Sequence, residues 1–147
     1  MNWAHVHLMI NHFPVVGVFG IIALLIYSLL KKSEEIKRVS FGLFVLLALI
    51  TLAVYFTGLA AEDTVKKLPV VTEASIGRHE EMAELALVLM ETLGIAALAG
   101  LLFLRQSGVI PKWIVVLVLL LSLVAAAIVG LTANLGGQIR HTEIREH

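Results

Sequence analysis

Residues 113–135 read WIVVLVLLLSLVAAAIVGLTANL, a run of 23 positions that contains no charged side chain. An α-helix needs about 20 consecutive apolar residues to cross the hydrocarbon core of a bilayer, so this run predicts a membrane span. Three earlier runs of similar character lie at about 8–30, 40–61 and 82–104. None of the four alternates apolar and polar residues as the strands of a membrane barrel do, so we expect four transmembrane helices.

The composition agrees with a membrane protein. The chain has 147 residues, of which 59% are hydrophobic and 15% charged, whereas a soluble domain has about 45–50% and about 25%. Short connections make neighbouring helices antiparallel, so we predict one all-α domain over 1–147, a four-helix bundle of up-down-up-down topology with both termini on one face. We find no internal repeat in the chain, and we expect Pro14 to kink the first helix.

Charge and cysteine content exclude several function classes. Lys plus Arg and Asp plus Glu both number 11, which gives a formal net charge of zero. No basic patch with interleaved aromatic residues is present, so we expect no nucleic-acid partner. The absence of cysteine excludes disulfides, thiolate zinc sites, iron–sulfur clusters and covalent haem attachment.

The loops predict the orientation in the membrane. Positive charge is densest in the first and third connections, which lie on the same side of the bundle: Lys31, Lys32, Lys37, Arg38, Arg105 and Lys112. Cytoplasmic loops carry an excess of Lys and Arg. We therefore predict a multi-pass protein of a bacterial inner membrane, in contact with lipid, whose N- and C-termini are periplasmic.

All the histidines are predicted to lie at the other face, where both termini are. They stand before the first and third spans and after the fourth: His5, His7, His12, His79, His141 and His147. A histidine near a membrane end can be a simple interfacial side chain. Imidazole is also the commonest metal ligand, and the grouping at one face indicates a metal or haem site.

Helix geometry favours haem b over zinc. His7 and His12 are five residues apart, so they diverge by about 140° around the helix axis. Two ligands of one small ion would be three or four residues apart. We therefore predict one or two non-covalent haem b groups with the axial ligands His7, His12, His79 and His141, each site taking one ligand from the first helix and one from another helix.

The residues around these histidines suit the same ligand. Arg78 and Arg140 each precede a histidine, and a guanidinium can bind a haem propionate bidentately. The alternative is that both arginines lie at the lipid interface or pair with neighbouring glutamates. Glycines could let a flat macrocycle approach the backbone or could simply pack helices closely: Gly17, Gly20, Gly94, Gly136 and Gly137.

An acidic stripe is predicted to enter the membrane along the third span. Glu80, Glu84 and Glu91 lie within about 40° of one helix face. A carboxyl as deep as Glu91 by default marks a functional site, so we predict that Glu91 accepts a proton from a quinol and passes it outward. The alternative is a hydrogen bond to Thr57 or Thr132.

The residues 7–14, HLMINHFP, resemble a known signature. A bacterial family of uncharacterised four-helix membrane proteins, catalogued as a domain of unknown function, carries His-Pro-x-x-x-His-Phe-Pro in its first helix. Further similarity lies in Thr57-Gly58, in His79 and in the run 135–137 before His141. Leu8 replaces the usual proline, and Arg140-His141-Thr142 stands where the family tends to have His-Gly. The resemblance implies a membrane protein associated with redox modules.

These observations predict a b-type cytochrome, an electron-transfer protein or quinol-oxidising subunit and not a hydrolytic enzyme. It would carry electrons from quinol to a periplasmic or membrane redox protein, alone, as a homodimer or within a larger complex. Two alternatives remain. One is copper or zinc binding, since thioethers together with imidazoles suit Cu(I). Three methionines are expected in the half of the bundle that contains the histidines: Met9, Met82 and Met90. The other is a cofactor-free structural subunit of a respiratory complex.

Overall fold

The computed structural model describes residues 2–67 and 71–140, which form five helices joined by short turns. They are α1 (Trp3–Ile10), α2 (His12–Leu30), α3 (Glu34–Val65), α4 (Glu73–Ser107) and α5 (Lys112–Arg140). Taken together, α1 and α2 make the first of four spans that are long and apolar enough to cross a membrane. The predicted all-α bundle is confirmed. The predicted spans 40–61, 82–104 and 113–135 each lie within one helix, and the first, 8–30, extends over α1 and α2.

The first span is broken at Asn11, which lies in a turn between α1 and α2. Pro14 has no N–H group, so it cannot donate the helical hydrogen bond to the carbonyl of Ile10. The predicted kink is confirmed, and it lies three residues before the proline. As a result α1 leans on α3, and no Cα atom of α1 lies within 8 Å of α4 or α5.

The four spans form a closed ring in which α2 contacts α3 and α5, and α4 contacts the same two helices. No Cα atoms of α2 and α4, or of α3 and α5, approach within 8 Å across the diagonals. Because neighbouring spans are antiparallel, the starts of α1 and α4 meet the ends of α3 and α5. We call this the histidine end of the bundle, after His7 and His79; the described chain begins and ends there.

The interior is packed with apolar side chains that are almost or wholly inaccessible. They come from all four spans: Val18, Leu25, Phe41, Phe44, Met90, Leu93, Ala97, Ile114, Val118 and Ala125. Two of the glycines mentioned above serve this packing. A Cβ atom on Gly94 would lie 2.5 Å from the Cβ of Ala48, and one on Gly17 would lie 2.7 Å from Leu47. Helix packing, and not a flat ligand, therefore explains these two glycines.

The two hairpins of the bundle repeat one burial pattern, although few of their corresponding residues are identical. A shift of 72 residues carries α2 onto α4, and all six buried positions of α2 then fall on buried positions of α4. A shift of 78 residues carries five of the buried positions of α3 onto buried positions of α5. Both copies begin at the histidine end, so a pseudo-twofold axis runs along the bundle, as in parallel repeats of membrane proteins.

Candidate ligand site at the histidine end

His7 lies on α1 and packs against the backbone of α3. Its Nδ1 atom is 3.0 Å from the carbonyl oxygen of Val54 and 3.4 Å from the hydroxyl of Thr57. A carbonyl oxygen only accepts, so Nδ1 carries the proton and donates it to Val54, and Nε2 keeps its lone pair. The ring also needs the glycine beneath it, because a Cβ atom on Gly58 would lie 3.1 Å from Cε1.

His79 makes the same arrangement between α4 and α5. Its Nδ1 atom is 3.1 Å from the carbonyl oxygen of Thr132. A Cβ atom on Gly136 would lie 3.0 Å from Cε1 of the imidazole. The Thr132 hydroxyl donates to the carbonyl oxygens of Met82, at 3.1 Å, and of Ile128, at 2.8 Å, so it ties α5 to α4 beside the histidine.

The two arrangements are equivalent under the repeat. The shift of 72 residues carries His7 onto His79, and the shift of 78 carries Val54 onto Thr132 and Gly58 onto Gly136. Each hairpin therefore builds one histidine half-site of the same design.

The acidic stripe of α4 faces α3. The Tyr55 hydroxyl donates to Glu84 at 3.4 Å, and Glu80 lies against Glu62. Glu62 also pairs with Lys66 at the end of α3, and this hydrogen bond raises the pKa of the Lys66 ammonium. The stripe thus follows the α3–α4 boundary out to the histidine end, as expected for one helix face.

Glu91 lies deeper in the same stripe. Its Oε1 atom is buried and has no hydrogen-bond partner in the described part of the chain. The hydroxyls of Thr57 and Thr132 donate to backbone carbonyls instead. The alternative in which Glu91 bonds one of these threonines is therefore wrong.

The sequence of the chain matches a family profile over residues 4–143, and the family is described as "Predicted membrane protein (DUF2231)". The chain belongs to the DUF2231 family. The match spans the four helices and includes both histidine half-sites. No curated protein and no solved structure matches the chain.

Of the other predicted ligands of this DUF2231 protein, His12 and the Arg78 side chain lie in the described part of the chain. His12 is exposed at the start of α2, and Arg78 is exposed on α4; within the described residues neither has a hydrogen bond or an ion pair. His141 lies outside the described residues, and so does the side chain of Arg140. The structure thus brings together His7 and His79 and does not bring His12 to them.

Each half-site of this DUF2231 protein offers one imidazole nitrogen as a potential ligand. A histidine that binds a metal usually donates its other ring N–H to a carbonyl or carboxylate, as His7 and His79 do. Among residues 2–67 and 71–140, no three or more His, Asp or Glu side chains are grouped to hold a metal ion. Haem brings four nitrogen ligands of its own, so two imidazoles are sufficient.

Two contributors to the site were missed by the sequence reasoning. Gly58 was noted only as part of the resemblance, and its role under His7 depends on the packing of α1 on α3. Asn11 was not considered, yet its Oδ1 atom is buried without a partner in the described part of the chain, one helical turn from His7. Asn11 lies four residues after His7 in the run HLMINHFP, and this spacing, which places both residues on one helix face, could have pointed to it.

Proposed function

We propose that this DUF2231 protein is a membrane-bound b-type cytochrome that transfers electrons from quinol to a periplasmic or membrane redox protein. One observation carries the proposal. His7 and His79 each bind a backbone carbonyl through Nδ1 and keep Nε2 available, and this arrangement prepares an imidazole to ligate a metal.

Each remaining residue has a defined part in this proposal. His7, His12, His79 and His141 are the proposed ligands of one or two haem b groups, with the pairing of these ligands left open. Arg78 and Arg140 would bind propionate groups, since both belong to the histidine end and a guanidinium matches a carboxylate. When bound, haem b supplies a one-electron carrier.

The protein's own proton chemistry would centre on Glu91. Oxidation of one quinol to quinone releases two electrons and two protons. The Glu91 carboxylate would accept one proton and water the other, and the two electrons would leave one at a time to the redox partner. The buried, unpartnered Oε1 atom supports this role. Glu84 lies about 10 Å further along the helix, two turns away, so a proton could not pass between the two carboxylates without a carrier such as water.

The orientation is part of the proposal. The basic residues of the connection between α2 and α3 favour that end of the bundle as cytoplasmic. The histidine end would then face the periplasm, together with both termini. Electrons would enter and leave at that face, because the described residues carry no histidine at the opposite end.

The test is the haem content of the full-length protein purified in detergent. We expect a b-type pyridine haemochrome spectrum that is lost or strongly changed in His7→Ala and in His79→Ala. His5→Ala is the matched control, because His5 is exposed on the same short helix as His7. A protein that contains copper or zinc and no Soret band would overturn the haem proposal, and so would equal haem spectra in all three variants.

A further inference from the structure

The two hairpins of the bundle share one site. We infer that His7 and His79 ligate one and the same haem on the pseudo-twofold axis, and not two separate haems. This inference rests on the proposed function, and it names the pairing and the stoichiometry that the sequence left open.

The equivalence of the two half-sites is the first observation. Each consists of one imidazole and of two groups on the following span, a backbone carbonyl and a glycine four residues after it. The Nδ1-to-carbonyl distances are 3.0 and 3.1 Å, and the glycine clearances are 3.1 and 3.0 Å. Two surfaces that are related by a twofold axis are suited to the two faces of one planar ligand.

The position of the two imidazoles is the second observation. His7 and His79 come from spans that lie across the diagonal of the ring, each imidazole is half-buried, and both lie at the histidine end of the bundle. If there were two independent haems, each would be ligated by only one of these two histidines.

The kink of the first span supplies the third observation, because the second hairpin has no equivalent kink and the two hairpins therefore differ at the histidine end. Ala86 of α4 occupies the position that corresponds to Pro14, and α4 runs unbroken against both α3 and α5. By contrast, α1 packs on α3, and all its Cα atoms lie more than 8 Å from those of α5. Within the described residues, α1 and α5 therefore have no close backbone contact at the histidine end, and this is the side from which we infer that the ligand enters.

The experiment counts haem and measures the six-coordinate, low-spin fraction by absorption and electron paramagnetic resonance. We expect one haem per chain. His7→Ala and His79→Ala should each lose all of the low-spin signal, while His5→Ala, at an exposed position on the same short helix as His7, should keep it. Two haems per chain, or half of the low-spin signal left in each single variant, would overturn the shared site and leave the proposed function standing. A wild-type protein without haem would refute the proposed function and the inference together.

A second measurement tests the shared site without haem. The chain contains no cysteine, so a His7→Cys/His79→Cys double variant can be treated with a short bis-maleimide without background. We expect efficient intramolecular cross-linking. The control is a His5→Cys/His79→Cys variant, because His5 is exposed and lies outside the half-site. Equal cross-linking of the two double variants would contradict a shared axial site.

Discussion

Gly136→Ala tests the histidine half-site most sharply, because the structure gives the size of the clash. A Cβ atom at position 136 would lie 3.0 Å from Cε1 of His79 and 3.4 Å from Nδ1. Non-bonded carbon atoms are most stable about 3.5–4.0 Å apart, so the imidazole must retreat by a few tenths of an ångström. The clash is at the Cε1–Nδ1 edge of the ring, and Nδ1 is the atom that donates the hydrogen bond to Thr132.

That movement has a calculable cost. The bond from Nδ1 to the Thr132 carbonyl is 3.1 Å long, and lengthening it by a few tenths of an ångström takes it outside the usual range of about 2.7–3.2 Å and weakens it. A buried N–H group left without a partner costs about 1–3 kcal/mol. Loss of the bond that orients a metal-ligating histidine lowers ligand affinity about 10–100-fold. Gly58→Ala should act in the same way on His7.

The assay is unfolding in detergent, followed by the fluorescence of Trp3 and Trp113, together with a haem titration of each variant. Gly130→Ala is the matched control on the same helix, because a Cβ atom there meets nothing within 4 Å. We expect the control to keep its stability and its haem affinity. The reasoning is refuted if Gly136→Ala is as stable as Gly130→Ala and binds haem equally tightly.

Three further predictions address other residues. Asn11→Leu removes a buried acceptor without a partner, so we expect the free energy of unfolding of the haem-free protein to rise by about 1 kcal/mol or more; a less stable variant would contradict this. Glu91→Gln cannot accept a proton, and quinol-dependent reduction in proteoliposomes should slow by about 10²-fold with an unchanged haem spectrum; an unchanged rate would remove Glu91 from the mechanism. Thr132→Val loses the bond to Met82 and should destabilise the α4–α5 pair by about 1 kcal/mol in thermal unfolding. Thr92→Val is the control and should not destabilise the protein, because the Thr92 hydroxyl bonds only its own exposed helix turn. Equal effects of the two substitutions would contradict the role of the bond.

The fold could be predicted from the sequence because its signals are local. A run such as 113–135 predicts a span by itself, and Pro14 predicts the kink because it lacks one N–H group. Antiparallel packing then places His7 and His79 at one end without any knowledge of their contacts. These features needed only hydropathy, the length of each run and the direction of successive helices.

The partners of the two histidines could not be predicted in the same way. Val54 and Thr132 contribute backbone carbonyls, which every residue has, so their side chains carry no signal. The repeated burial pattern was not predicted for a related reason, because its halves share burial and few identical residues. Ile22, for example, corresponds to Gly94, although both are buried.

The central claim is that this DUF2231 protein binds haem b through two histidines of equivalent hairpins. The most direct measurement is the optical spectrum and haem content of the full-length protein, purified in detergent from haem-replete cells. The account predicts a b-type spectrum with a low-spin, bis-histidine signature and one haem per chain. A colourless, folded protein that does not take up added haem would contradict it.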